Sequence, residues 1–220
     1  MKKSALFGYA FGSIMAIFIL FMLPLNDDWH TLNVANTGHE NLECTDCHTI
    51  APGTPRQQIQ TNTKAFLGFR ETGVDFGHHD VTNENCLACH DRPNDNHPVY
   101  RFNEPRFVEA RQAIQPQLCE SCHLEHQGRR VTIDTTFCVH CHTDLDLTDD
   151  PIDVPHVELV ANEDWTSCLG CHDFHGNHVM EIPVRIENTI DTQLIEAYFE
   201  NEPSPYSNER LYVPKERLDE

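Results

Sequence analysis

Every cysteine in this chain belongs to one repeated pattern, in which two cysteines flank two other residues and a histidine follows at once. The chain has 220 residues and 10 cysteines, so five copies of the pattern use all of them. We number the copies motif 1 to motif 5. The motif cysteines are Cys44 and Cys47, Cys86 and Cys89, Cys119 and Cys122, Cys138 and Cys141, and Cys168 and Cys171. The motif histidines are His48, His90, His123, His142 and His172.

This spacing is that of covalent haem attachment. Each thiol forms a thioether bond with one vinyl group of haem, and the adjacent histidine reaches the iron as its proximal axial ligand. A disulfide framework needs no histidine after each cysteine pair. Zinc ribbons use pairs of pairs and would leave one of five unmatched, and a thioredoxin-like site uses a single motif. The sequence therefore predicts five covalently attached haem c groups.

The motifs resemble those of the multihaem c-type cytochromes, over about residues 39–178. Two runs are similar to segments of the class III-like (cytochrome c3/c7) proteins: Cys-His-Leu-Glu-His-Gln-Gly at 122–128 and Phe-Cys-Val-His-Cys-His-Thr-Asp-Leu at 137–145. With its N-terminal apolar segment, the chain also resembles membrane-bound pentahaem cytochromes. The resemblance implies electron transfer from a quinol-oxidising complex or other membrane donor to a periplasmic acceptor.

The remaining histidines outnumber the distal ligands that five haems need, because ten of the 15 histidines lie outside the motif positions. This supply favours six-coordinate, low-spin iron with two histidine ligands, which has no open position for a substrate. In class III-like proteins the distal histidine often lies shortly before or after a motif. On that basis the predicted distal ligands are His39, His79, His126, His156 and His178. Left open as alternatives are His30, His78, His97 and His175.

Residues 1–25 predict a membrane segment, because Lys2 and Lys3 precede an uncharged run over residues 4–25. As a helix the uncharged run would be about 33 Å long, enough to cross a bilayer. We interpret it as a single transmembrane helix, with a cleaved signal peptide as the alternative. Both interpretations export the rest of the chain. The predicted location is the bacterial inner membrane, with the haem domain facing the periplasm.

The chain is acidic, with 35 Asp and Glu against 15 Lys and Arg and a formal charge of −20. This charge argues against nucleic-acid binding and favours redox partners that present basic docking patches. Arg106 and Arg111 lie in a basic-rich stretch and are predicted to bind haem propionates, which match the planar guanidinium group. Two alternatives stay open: a multihaem oxidoreductase acting on nitrite, hydroxylamine or a sulfur oxyanion, and a haem subunit of a larger respiratory complex or cytochrome filament.

The predicted fold is mostly α with little regular secondary structure, because hydrophobic residues make up only 39% of the chain and haems would supply much of the core. It consists of the transmembrane helix, a haem-packed cytochrome c domain over 26–180 and an acidic C-terminal tail over 181–220, a possible docking segment. Helices are predicted over 104–114 and after Asp191, which would cap the second one. No catalytic residue is predicted.

Overall fold

The computed structural model of this protein describes residues 3–21 and 33–215. The chain divides into two compact units. The first unit comprises Met1–Leu32 and Leu42–Val81, and the second comprises Asn33–Asn41 and Thr82–Glu220. Motif 1 lies in the first unit and motifs 2 to 5 lie in the second. Each unit is described below by itself.

The described residues are about 42% helical and form nine α-helices. In chain order these are α1 Lys3–Phe21, α2 Cys44–Cys47, α3 Pro55–Phe66, α4 Asn83–His90, α5 Val108–Ala113, α6 Val139–His142, α7 His156–Ala161, α8 Cys168–Cys171 and α9 Thr192–Glu200. Short 3₁₀ helices cover Val99–Asn103, Pro105–Phe107, Cys119–Ser121, Trp165–Ser167 and Ile186–Asn188. The prediction of little regular secondary structure is therefore wrong, because the motifs themselves and the segments between them form helical turns.

The predicted transmembrane helix over 1–25 is also wrong. Within the described ranges, no helix is both long enough and apolar enough to cross a membrane. Helix α1 has 19 residues. At about 1.5 Å per residue this gives roughly 28 Å, less than the roughly 30 Å of a bilayer core. Residues 22–25, which completed the predicted span, lie outside the described residues.

In the first unit a buried glutamine joins the two segments that follow motif 1. Thr54 caps α3 by accepting a hydrogen bond from the Gln57 backbone, and Pro55 occupies the first helical position. One turn later, the Gln58 side-chain amide donates to the Ala51 carbonyl at 3.1 Å and its oxygen accepts from the Gly77 backbone at 3.0 Å. Gln58 therefore fixes the chain after motif 1 against residues 77–79.

The second unit has an apolar core to which the C-terminal segment contributes. The buried residues of this core are Val131, Phe137, Leu169, Ile195 and Phe199. Two of them come from α9, which begins after Asp191 as predicted: the Asp191 carboxylate accepts from the Gln193 backbone at 2.8 Å. The predicted helix over 104–114 forms as the 3₁₀ turn Pro105–Phe107 followed by α5. Residues 181–215 thus belong to the folded second unit, and a docking role for them stays a prediction.

Candidate functional site

Each motif forms or ends a helical turn. Motifs 1, 4 and 5 coincide with the short helices α2, α6 and α8 to within one residue. Motif 2 forms the end of α4, and motif 3 begins with a 3₁₀ turn. Residues three and four apart lie on the same side of a helical turn, so both thiols and the motif histidine project together. The turn is closed by a backbone hydrogen bond in which the histidine N–H donates to the first cysteine's carbonyl, at 2.8 Å for His48 and 2.9 Å for His172.

No disulfide bond joins any of the ten motif cysteines, all of which lie among the described residues. Disulfides, the usual fate of cysteines in an exported chain, therefore do not link these pairs. The Cys86 and Cys119 thiols hydrogen-bond to each other, which raises the pKa of Cys86 and lowers that of Cys119. Cys138 and Cys168 are joined in the same way. Motifs 2 and 3 therefore lie side by side, as do motifs 4 and 5.

Every motif histidine faces one histidine from outside the motifs. The ring centroids of the five pairs are separated by 5.9 to 6.3 Å. The pairs, in motif order, are His48 with His78, His90 with His39, His123 with His175, His142 with His97, and His172 with His156. No motif histidine is shared between pairs, and none of the partners is used twice.

This separation suits a metal ion between the two rings. An imidazole nitrogen lies roughly 2 Å from a first-row metal. The ring centroid lies roughly 1 Å further along the same line, so two rings on opposite faces of one iron have centroids about 6 Å apart. Within residues 3–21 and 33–215, no three His, Cys, Asp or Glu side chains are grouped to hold a metal by themselves. A haem iron needs only two protein ligands, because the porphyrin supplies the other four. The residues present therefore fit haem.

Local backbone structure positions the facing histidines. In the first unit, Ile50 and His78 form an antiparallel bridge, and the His48 Nδ1 donates to the His79 carbonyl at 3.1 Å. In the second unit, the His97 ring stacks on Phe174 with centroids 4.2 Å apart. Gly176 has φ of 67°, and a Cβ there would collide with the Asn96 side chain. Glycine at this position therefore lets the segment around His97 lie against the segment around His175.

Burial favours the neutral form of several motif histidines. It lowers the pKa of His90, His123 and His172 from the ordinary value. The His123 Nδ1 also donates to the Arg130 carbonyl at 2.8 Å, which leaves its Nε2 as the free nitrogen. Neutral imidazole is the form that binds a metal, so these side chains are prepared for ligation.

Two of the five predicted distal ligands, His39 and His156, face a motif histidine. The other three lie elsewhere. His79 is adjacent to the paired His78, but its own ring points to Asp75, with Nδ1 2.5 Å from the carboxylate. His126 lies in a left-handed turn with φ of 61°, and its Nδ1 is buried. In place of these three, the structure pairs His78, His97 and His175.

His178 has a carboxylate on its Nδ1, as three of the paired histidines do, but no motif histidine lies opposite its ring. Its Nδ1 lies 2.9 Å from the Asp173 carboxylate, and its ring stacks on Tyr206. Burial alone would raise the pKa of Asp173, but the hydrogen bonds from His178 lower it to about 2. The His178 Nε2 is buried, and the rings that contact His178 are Tyr198 and Tyr206 rather than a motif histidine. His30, another alternative from the sequence, lies outside the described residues.

The two predicted propionate ligands contact protein groups. The Arg106 Nε lies 2.9 Å from a Glu104 carboxylate oxygen, and its guanidinium covers the Phe107 ring. The Arg111 side chain donates to the carbonyls of Phe102 and Glu104, at 2.6 and 2.8 Å. Arg111 therefore ties the 3₁₀ segments to α5. A role for either arginine toward a propionate stays a prediction.

Comparison with known proteins adds no assignment to this geometry: no protein-family model, curated protein or solved structure matches the chain.

Proposed function

We propose that this chain is an exported electron-transfer protein that carries five covalently attached c-type haems. The observation that supports this most strongly is the pairing of each motif histidine with one histidine from outside the motifs, at 5.9 to 6.3 Å. Haem supplies reversible one-electron chemistry at its iron. The cysteines would hold the porphyrins, and the two facing imidazoles of each pair would hold the iron from opposite sides.

If both histidines of a pair held the iron, no position would be left open for a substrate, and such sites would favour electron transfer. A redox titration of the purified protein, followed by visible spectroscopy, tests this. We expect reversible reduction, low-spin spectra at all five sites and almost no change on addition of cyanide or nitrite. A large high-spin fraction, or spectral changes with either anion, would favour the multihaem oxidoreductase alternative.

The ligand pairs are tested by substitutions at adjacent histidines. We expect His78→Ala to convert about one fifth of the haem signal from low-spin to high-spin, because one of five irons loses a ligand. The matched control, His79→Ala, should leave the spin state unchanged, because the His79 ring faces Asp75. His175→Ala and His178→Ala form a second matched pair in the second unit. The assignment is wrong if the effects within each pair are reversed.

The basic and then apolar N-terminal segment supports export of the chain. The acidic composition indicates which kind of redox partner it would bind. A formal charge of −20 favours redox proteins with basic docking patches. Association with such a protein should be rapid at low salt and slow as ionic strength rises. Stopped-flow reduction at several salt concentrations measures this. A rate independent of salt would argue against electrostatic docking. Membership of a respiratory complex or filament would be recognised by the native size of the protein.

A further inference from the structure

In three of the five histidine pairs, a carboxylate forms a hydrogen bond with the histidine from outside the motif. The His39 Nδ1 lies 2.6 Å from Glu125, the His156 Nδ1 lies 2.9 Å from Asp150, and the His175 Nδ1 lies 3.0 Å from Asp95. In each case the carboxylate binds Nδ1, so that it leaves the other ring nitrogen, Nε2, for a metal ion. These contacts belong to the pairs of motif 2 (His39), motif 5 (His156) and motif 3 (His175).

The contacts described for the pairs of motifs 1 and 4 are of a different kind. In the motif 4 pair, the His97 Nδ1 donates to the Phe174 carbonyl at 2.7 Å. In the motif 1 pair, the His48 Nδ1 donates to the His79 carbonyl at 3.1 Å. A backbone carbonyl is neutral and accepts a weaker hydrogen bond than a carboxylate does. Among the outside histidines with an Nδ1 contact described here, three therefore bind a charged carboxylate and one, His97, binds a neutral carbonyl.

Further hydrogen bonds fix the carboxylates in place. Asp95 also accepts from the His97 backbone at 2.8 Å, and its side chain is only 11% exposed. Asp150 accepts from the His156 backbone at 2.6 Å. Glu125 accepts from the Asn36 backbone at 3.2 Å. Because each carboxylate is held by the backbone as well as by the ring, its position relative to the imidazole is defined by the fold.

We propose that Glu125, Asp95 and Asp150 act as positioning residues that lower the reduction potentials of the three haems whose distal histidines they hold. A carboxylate on Nδ1 fixes the ring orientation and makes the imidazole a stronger electron donor through Nε2. A stronger donor stabilises oxidised iron relative to reduced iron, so the potential falls. The inference rests on the proposed haem ligation. It adds that the haems of motifs 2, 3 and 5 form a low-potential group relative to the haem of motif 4, where the outside histidine binds a carbonyl.

The test is a spectropotentiometric titration of the full-length, haem-loaded protein with dithionite and ferricyanide. For Asp95→Asn we expect one of five components to shift to higher potential by clearly more than any of the other four. Asp95→Glu, which keeps the charged acceptor, should restore much of the lower potential. Glu125→Gln and Asp150→Asn should each shift a different single component, which keeps the test decisive if one variant does not fold.

A matched control separates the hydrogen bond from simple loss of charge. Asp173 binds the His178 Nδ1 at 2.9 Å and is 13% exposed, so it matches Asp95 in geometry and burial, but His178 faces no motif histidine. Asp173→Asn should therefore shift no component by a comparable amount. Asp75→Asn, beside His79, is a second control.

The outcomes separate this inference from the proposed function. Unchanged potentials in all three carboxylate variants, or an equal shift in Asp173→Asn, overturn the inference while haem binding stands. A wild-type protein that binds no haem overturns the proposed function itself, and the inference falls with it.

Discussion

The two units bring a motif histidine and its partner together by different means. In the first unit, the β-bridge between Ile50 and His78 brings His78 to His48, and the buried residues described there are Ala51 and the hydrogen-bonded Gln58. In the second unit, three of the four pairs join histidines 45 to 52 residues apart, and a separate apolar core around Ile195 supports that unit. The second unit therefore has stability of its own, whereas the first depends more heavily on what its histidine pair binds.

The largest expected effect follows from removing haem attachment from each unit in turn. In the double variant Cys44→Ala/Cys47→Ala, we expect amide hydrogen exchange across 44–81 to approach that of an unfolded chain, because little apolar burial remains there. In the matched variant Cys86→Ala/Cys89→Ala, exchange in α9 should stay slow. Equal loss of protection in both variants would contradict the contrast between the units.

The apolar core of the second unit is tested by Ile195→Ala. Ile195 is 0% exposed, so we expect the variant to lower the free energy of unfolding of the second unit by about 2–5 kcal/mol. The control Leu194→Ala changes an exposed residue on the same helix and should cost far less. Chemical denaturation followed by circular dichroism measures both. Similar losses of stability in the two variants would show that α9 does not contribute to the apolar core.

The stability of the first unit should instead depend on a polar side chain, that of Gln58. Gln58→Ala leaves the Gly77 N–H without its side-chain acceptor, and we expect a loss of about 1–3 kcal/mol in local stability. Exposed Gln60→Ala on the same helix is the control. Hydrogen exchange at 77–79 gives the measurement. If Gln58→Ala and Gln60→Ala change hydrogen exchange at 77–79 equally, the hydrogen bond from Gly77 to Gln58 does not stabilise this region.

The smallest effect concerns the start of α9. Asp191→Ala removes the N-cap and should cost about 1 kcal/mol, because one backbone N–H loses its acceptor. Asp191→Asn, also a favourable N-cap, should retain most of the stability. Thermal unfolding distinguishes the two variants. Equal melting temperatures for wild type and Asp191→Ala would indicate that the cap contributes nothing to the second unit.

Sequence reasoning was most successful where structure is local. The motif turns depend on residues three and four apart, and Asp191 caps the helix that it immediately precedes. The sequence predicted His79 as a distal ligand and left His78 as an alternative, because spacing alone does not separate the two. Only the bridge between Ile50 and His78 decides which ring faces the motif.

Longer-range pairs follow no spacing rule. His175 lies after motif 5 but faces motif 3, and His39 lies before motif 1 but faces motif 2. One sequence signal was available: Asp150 lies six residues before His156, the histidine that it binds. However, Asp173 has a similar relation to His178, whose Nε2 is enclosed by packing. Burial, which the sequence does not reveal, separates these cases.

The central claim is that five haems are covalently bound, one at each motif, between paired histidines. The most direct test is the intact mass of the native protein after denaturation, which removes everything that is not covalently attached. We predict a mass above that of the polypeptide by five haems, reduced to four in Cys44→Ala/Cys47→Ala. A mass equal to that of the bare polypeptide, in a colourless sample from cells able to attach haem c, would contradict the claim.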